Sequence, residues 1–239
     1  IERGQRGQDV QLPTSLLLSI VHRYWRDKEK RLTNSTYRKS FPRGLPSTNA
    51  QPFLYLLEDS IDWTENVIST SNEAFFGYFH FMPPHEPYNA RKEYVDMFKD
   101  GWAPPTKPGH IFSQGYSQKF MNSQRREYDE YIAYVDGEFG RLVDFMQKDG
   151  LLENTYLILT SDHGEMFERG IIEHITETLF EPITRIPLII HKPGQTSRVD
   201  VHTPTNNVDI LPTVYHAIGT PFPEWTEGVV LPTFSENPV

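Results

Sequence analysis

Leu157-Ile158-Leu159-Thr160-Ser161-Asp162-His163-Gly164-Glu165 decides how this chain reads. An apolar run from Thr155 to Thr160 predicts a strand. It stops at a polar cluster that opens with a carboxylate beside an imidazole. In an open α/β sheet, ligands gather at the carboxyl ends of the strands, so Asp162 and His163 stand where a ligand belongs. A carboxylate oxygen next to a neutral imidazole nitrogen is half a site for a divalent cation. Gly164 lets the backbone turn tightly away. Taken alone, the tripeptide Asp-His-Gly suits equally a turn that merely ends a strand.

Outward from this stretch the pattern is α/β. Between Arg125 and Lys148, Tyr128, Tyr131, Ile132, Val135, Phe139, Leu142, Val143 and Met146 recur at three- and four-residue steps. Arg126, Asp129, Glu130, Arg141 and Asp144 fall mostly opposite, so the spacing predicts a helix with one buried face. Gly150 suits its C-cap, and the chain turns back towards the strand near Asn154. Helix followed by strand is the building unit of an α/β domain. Pro187 to His191 predicts a second strand, and Ile210 to Ile218 a short helix stopped by Gly219 and Pro221. Phe53 to Ser69 predicts a helix that buries Leu54, Leu57, Ile61, Val67 and Ile68; Ser15 to Lys28 predicts another. Ala74 to Met82 is apolar and aromatic and predicts a buried strand, with His80 a core histidine. Its continuation, Pro83-Pro84-His85-Glu86-Pro87-Tyr88, must leave the sheet because prolines supply no ladder donors. Arg31 to Gln51 reads as a loop, and Asn89 to Ser123 as a long loop on the ligand side.

Composition removes several functions. The 239 residues are enough for one large domain with a real core. A net charge of −9, from 23 basic and 32 acidic residues, argues against a nucleic-acid partner, which needs clustered Lys and Arg. The absence of cysteine excludes disulfides and thiolate metal sites. No apolar run approaches the ~20 residues that span a bilayer, so no transmembrane segment is expected. Asn34-Ser35-Thr36 is a formal glycosylation sequon. Ile1 is not an initiator methionine and no leader pattern follows it, so the sequence reads as beginning partway through a larger protein.

An ordered set of motifs adds specificity. Phe79-His80-Phe81-Met82-Pro83-Pro84-His85-Glu86-Pro87-Tyr88 comes first, then Asp162-His163-Gly164-Glu165, Arg169-Gly170 and His174. Leu179-Phe180-Glu181 runs into Arg185-Ile186-Pro187-Leu188-Ile189-Ile190, and Pro193-Gly194 and Val208-Asp209-Ile210-Leu211-Pro212-Thr213 follow. From about Phe75 to Pro232 this series resembles the C-terminal half of the sulfatase family, within the alkaline-phosphatase-like superfamily. The resemblance implies an alkaline-phosphatase-like α/β sandwich, a mixed and mostly parallel sheet flanked by helices, truncated at its N-terminus. Residues 1–72 are then a variable helical and loop region of the same domain, and 73–239 the C-terminal portion of the catalytic domain.

The implied function is hydrolysis of a sulfuric ester by a metal-assisted covalent mechanism. In the family the nucleophile lies in a Cys- or Ser-x-Pro-x-Arg motif, which has no counterpart here, so it is expected outside this chain, and the chain alone is expected to be inactive. The resemblance implies one divalent metal ion, calcium first, with manganese or zinc as alternatives. Asp162 and His163 are the expected metal ligands. His85 and His174 are the expected catalytic residues, since an imidazole donates to a sulfate oxygen or protonates a leaving alkoxide near neutral pH. For each, a surface histidine is the plainer reading. Arg169 is a candidate anion clamp, though a solvent-facing arginine is the commoner outcome. Glu181 and Arg185 are expected to pair, and Asp209 to cap a helix or turn. The partner is a sulfate- or phosphate-ester substrate. Two other readings stay open: a phosphoryl-transfer enzyme of the same superfamily, and a non-catalytic fragment or degenerate homologue.

Overall fold

A computed structural model describes residues 37–46, 56–174 and 177–235. They fall into two units: Ile1–Met146 with Phe167–Ile172, and Gln147–Met166 with Glu173–Val239. The expected helix Ser15 to Lys28 lies outside the described residues.

Among its described residues the first unit has two long helices, α1 (Leu57–Thr70) and α2 (Gln118–Lys148). α1 buries Leu57 and Ile61, as its spacing predicts, together with Thr64; Val67 and Ile68 are only half-buried, and Leu54 lies outside the described residues. α2 ends where expected but begins seven residues before Arg125, and buries Met121, Tyr131, Tyr134, Leu142 and Met146. Tyr134 anchors the core: its ring meets Phe41 edge-on at 6.2 Å and stacks on Tyr131 at 5.9 Å. Two expectations for α2 fail. Ile132 is 41% exposed, and Glu130, expected on the polar face, is buried. Glu130 is satisfied from afar: Arg43 pairs with one oxygen, and the Asp96 amide donates to the other at 3.0 Å. A buried carboxylate so paired avoids the cost of an isolated charge.

Polar groups also join the two helices. Glu58 on α1 accepts from the Tyr134 hydroxyl and from the Arg91 guanidinium. Burial and the Glu58 carboxylate push the Tyr134 hydroxyl well above the ordinary tyrosine range. The hydrogen bond that Arg91 donates to the Glu58 carboxylate raises the guanidinium above its ordinary value. Arg141 on α2 reaches Asp62 at 2.6 Å, Glu65 at 3.3 Å and the Glu58 carbonyl at 3.1 Å, with Glu138 at 2.9 Å on its own helix.

The segment Ala74 to Met82 forms no strand. Phe76 and Tyr78 are 74% and 77% exposed, and His80 is exposed rather than a core histidine. Apolar composition buries a segment only when another element covers it. Here the rings meet one another instead, Trp63 with Phe79 and Tyr78 with His80. Beyond it the loop returns to the core at Tyr88 and Ala90, where Tyr88 packs edge-on to Tyr128 and Phe167.

After Gly150, in the left-handed region at φ 70°, and a 3₁₀ turn at Leu151–Asn154, the remaining elements follow in order. They are β1 (Leu157–Thr160), β2 (Met166–Glu168), β3 (Ile171–Glu173), α3 (Glu181–Thr184), β4 (Leu188–His191), a 3₁₀ turn at Asn207–Asp209, and α4 (Ile210–Ala217). In the second unit β1 pairs with β4 from Leu157↔His191 to Thr160↔Leu188. The pairing is antiparallel, as a mixed sheet allows. β2 and β3 pair through the two-residue link Arg169-Gly170, both at positive φ (58° and 79°), as a tight hairpin requires. α4 ends near Gly219 as expected. Asp209 is a buried turn carboxylate that accepts from the amides of Asn206 (2.8 Å) and Val229 (3.0 Å). Glu181 and Arg185 approach to 4.0 Å, fully in solvent. Among the described residues no helix is long and apolar enough to cross a membrane.

Candidate active site

The turn that follows β1 is set by its own polar groups. The Ser161 hydroxyl donates to the His163 carbonyl at 2.6 Å, and the His163 amide donates to Asp162 Oδ1 at 2.9 Å. Asn207 Nδ2 donates to the Ser161 carbonyl at 3.1 Å, and the Thr160 hydroxyl to the Pro187 carbonyl at 3.0 Å. The Gly164 amide donates to the Ile183 carbonyl at 2.7 Å. A Cβ at Gly164 would collide with the carbonyl oxygen of Pro182, so α3 presses on this position and glycine fits it.

This turn presents Asp162 and His163 together. The Asp162 side chain is 63% exposed, and its Oδ2 lies 3.8 Å from His163 Nε2. His163 Nδ1 faces the Gly164 carbonyl at 2.9 Å. A carbonyl only accepts, so Nδ1 carries the proton, and in the neutral ring Nε2 holds the lone pair. Metal–ligand bonds of about 2.0–2.4 Å put two donors on one cation roughly 3–4 Å apart. Asp162 Oδ2 and His163 Nε2 therefore fit two positions of a divalent site. Among the described residues no group of three or more His, Cys, Asp or Glu side chains gathers to complete it.

His174 joins the same cluster. Its ring stacks on that of His163 with centroids 4.1 Å apart and planes 26° apart. Its Nδ1 lies 3.4 Å from each carboxylate oxygen of Glu165, whose side chain is only 4% exposed. Sequence reasoning quoted Glu165 within the motif but gave it no role. A signal was present: a two-residue link at Arg169-Gly170 pairs β2 with β3 so that Glu165 and His174 fall opposite each other just beyond the hairpin.

His85 belongs to the first unit, where it is half-buried. Its amide donates to the Met82 carbonyl at 2.8 Å, and Nδ1 faces the Glu86 carbonyl at 3.0 Å, so this ring too carries its proton on Nδ1 when neutral. Arg169 is not the solvent-facing arginine expected. It contacts Glu168 at 3.4 Å and the Pro108 carbonyl at 3.4 Å, with its side chain 27% exposed.

Known structures share this architecture. The phosphonate monoester hydrolase of Silicibacter pomeroyi superposes with a TM-score of 0.61 at 20% identity, over 83% of this chain and 46% of its own. The fold is thus the alkaline-phosphatase-like α/β fold. Within it, the sulfatase family profile matches residues 22–220, and the chain belongs to the sulfatase family. Choline-sulfatase of Rhizobium meliloti is 32% identical over 173 residues, 63% of this chain and 33% of that protein. Arylsulfatase K of Bos taurus is 31% identical over 210 residues, 74% of this chain and 38% of that protein. The chain spans between a third and two fifths of the length of these relatives, 33% and 38%. A divalent metal is general to the family.

Proposed function

We propose that this chain is part of a sulfuric ester hydrolase with a metal-assisted covalent mechanism, its nucleophile carried elsewhere in the protein. Membership of the sulfatase family over residues 22–220 carries the reading. The apposition of Asp162 Oδ2 and His163 Nε2 at 3.8 Å supports the site. Asp162 and His163 hold a single divalent cation, for which calcium is the first choice and manganese or zinc the alternatives. A cation held by these two residues would supply polarisation of the nucleophile and neutralisation of charge on the sulfuryl oxygens.

The chain's own residues do the rest. The Gly164 carbonyl fixes the tautomer of His163, so its lone pair sits on the nitrogen beside Asp162. His174, held against the His163 ring, contacts the transferred group. His85, once it takes up a proton, donates from Nε2 to the leaving alkoxide.

The test uses the full-length protein that contains this chain, assayed with an aryl sulfate and an aryl phosphonate ester, before and after chelation and with calcium, manganese or zinc restored. Sulfate turnover that falls on chelation and is absent in Asp162→Ala is the expected result. Preferential turnover of the phosphonate would select the phosphoryl-transfer reading. Turnover of neither would select the non-catalytic one.

A further inference from the structure

The buried carboxylate of Glu165 has no part in the chemistry above. Burying a carboxylate is costly unless a donor faces it, and here His174 Nδ1 lies 3.4 Å from both of its oxygens. The hairpin between them favours this meeting. β2 and β3 are joined by only two residues, Arg169 and Gly170, both at positive φ, so the positions flanking the hairpin must lie opposite each other. Glu165 and His174 are the pair of positions just outside this ladder, where Glu173, at φ 69°, turns the chain into His174.

The stacking adds a second constraint. With the His174 ring stacked on His163 at 4.1 Å and 26°, rotation about its χ2 is restricted to two edge-reversed orientations. A carboxylate on one edge chooses between them. Carboxylate oxygens only accept, so the edge facing Glu165 must be the one that carries the proton. Partners that fix ring orientation and tautomer in this way are a recurrent device behind functional histidines.

From this we propose that Glu165 is a positioning residue: it holds His174 with Nδ1 protonated towards the interior and Nε2 directed away from the carboxylate. This rests on the proposed role of His174 in contacting the transferred group, but the positioning itself is independent of turnover. Glu165 does not touch substrate. It acts by deciding which nitrogen of His174 does.

The experiment reads the proton directly. The full-length protein is labelled with ¹⁵N in histidine only, and long-range ¹H–¹⁵N spectra are recorded at one pH, with His174 assigned from the signal missing in His174→Gln. In the wild type, Nδ1 of His174 should carry a proton. Glu165→Gln, whose amide oxygen still accepts, should keep that state, and Glu165→Leu should lose it. On turnover, Glu165→Leu should lower kcat about 10- to 100-fold while KM changes little, and Glu165→Gln should recover most of it. A wild-type Nδ1 without a proton overturns the proposal, whether or not Glu165→Leu folds. So does an unchanged His174 state in a folded Glu165→Leu. If the spectra behave as expected but no substrate is turned over, the positioning stands and the hydrolase reading fails.

Discussion

The α1–α2 region and the turn after β1 treat their polar groups in opposite ways. Around the helices, charged side chains are consumed by one another. Glu58 takes Tyr134 and Arg91, Glu130 takes Arg43 and the Asp96 amide, and Arg141 spans four oxygen partners. Around Asp162 it is the backbone that is consumed. Ser161, Asn207 and the amides of His163 and Gly164 fix the loop, while Asp162 Oδ2 and His163 Nε2 lie 3.8 Å apart. A region that spends its charges on itself gains rigidity. One that fixes its backbone keeps two donor atoms side by side, as the proposed metal site requires.

Substitutions should separate the two regions by what they damage. The largest effect is expected from Asp162→Ala in the full-length protein. Turnover and bound metal, measured by elemental analysis, should both fall by more than about 100-fold, beyond the usual loss of an outer partner. The melting temperature of the metal-free protein should fall only slightly, because the side chain is exposed and gives up one hydrogen bond, from the His163 amide. A large melting shift there would erase the contrast. His85→Ala comes next: metal content should be retained while kcat drops about 10²-fold or more, the range for a lost proton donor. Equal metal loss in both variants would assign His85 to the metal instead.

The helical region should answer in stability alone. Glu130→Ala leaves Arg43 half-buried without its carboxylate and should cost about 3 kcal/mol in denaturant unfolding. A change in kcat among the molecules still folded would blur the division. The smallest effect concerns alkaline pH. Burial holds the Tyr134 proton in the folded state at pH values where an unfolded tyrosine, near 10, has lost it. Its contribution is therefore complete below pH ~10 and drains away as pH rises further, by up to about 1.4 kcal/mol per pH unit. Tyr134→Phe should flatten that part of the stability profile, and an unchanged slope would show that the hydroxyl is not protected.

The two regions were also unequally legible. Periodicity found α1, most of α2, both long-range strands and α4, because each carries an apolar stripe or run of the right length. It missed the first turns of α2, where Gln118 to Gln124 bury only Met121. It also misplaced Glu130, whose burial depends on an arginine 87 residues away. Ala74 to Met82 misled by composition: aromatic residues favour strands only against a neighbouring surface, and Phe76 and Tyr78 lie open instead. At the site, adjacency in sequence made Asp162 and His163 visible as a pair. The stacking of His174 on His163 was not visible, since ring geometry has no one-dimensional signature. The partnership with Glu165 was within reach, because the two-residue turn fixes which residues face each other.

The close seat of Gly164 beneath Pro182 and Ile183 gives the site a reporter of its own. Its amide proton is held by the Ile183 carbonyl at 2.7 Å and exchanges with solvent only when that contact opens. The exchange rate of this single proton therefore measures how often the loop bearing Asp162 and His163 leaves its seat. It can be followed by deuterium uptake without substrate, metal or turnover. Any change on α3 that loosens the seat should quicken that exchange before it disturbs anything else in the second unit.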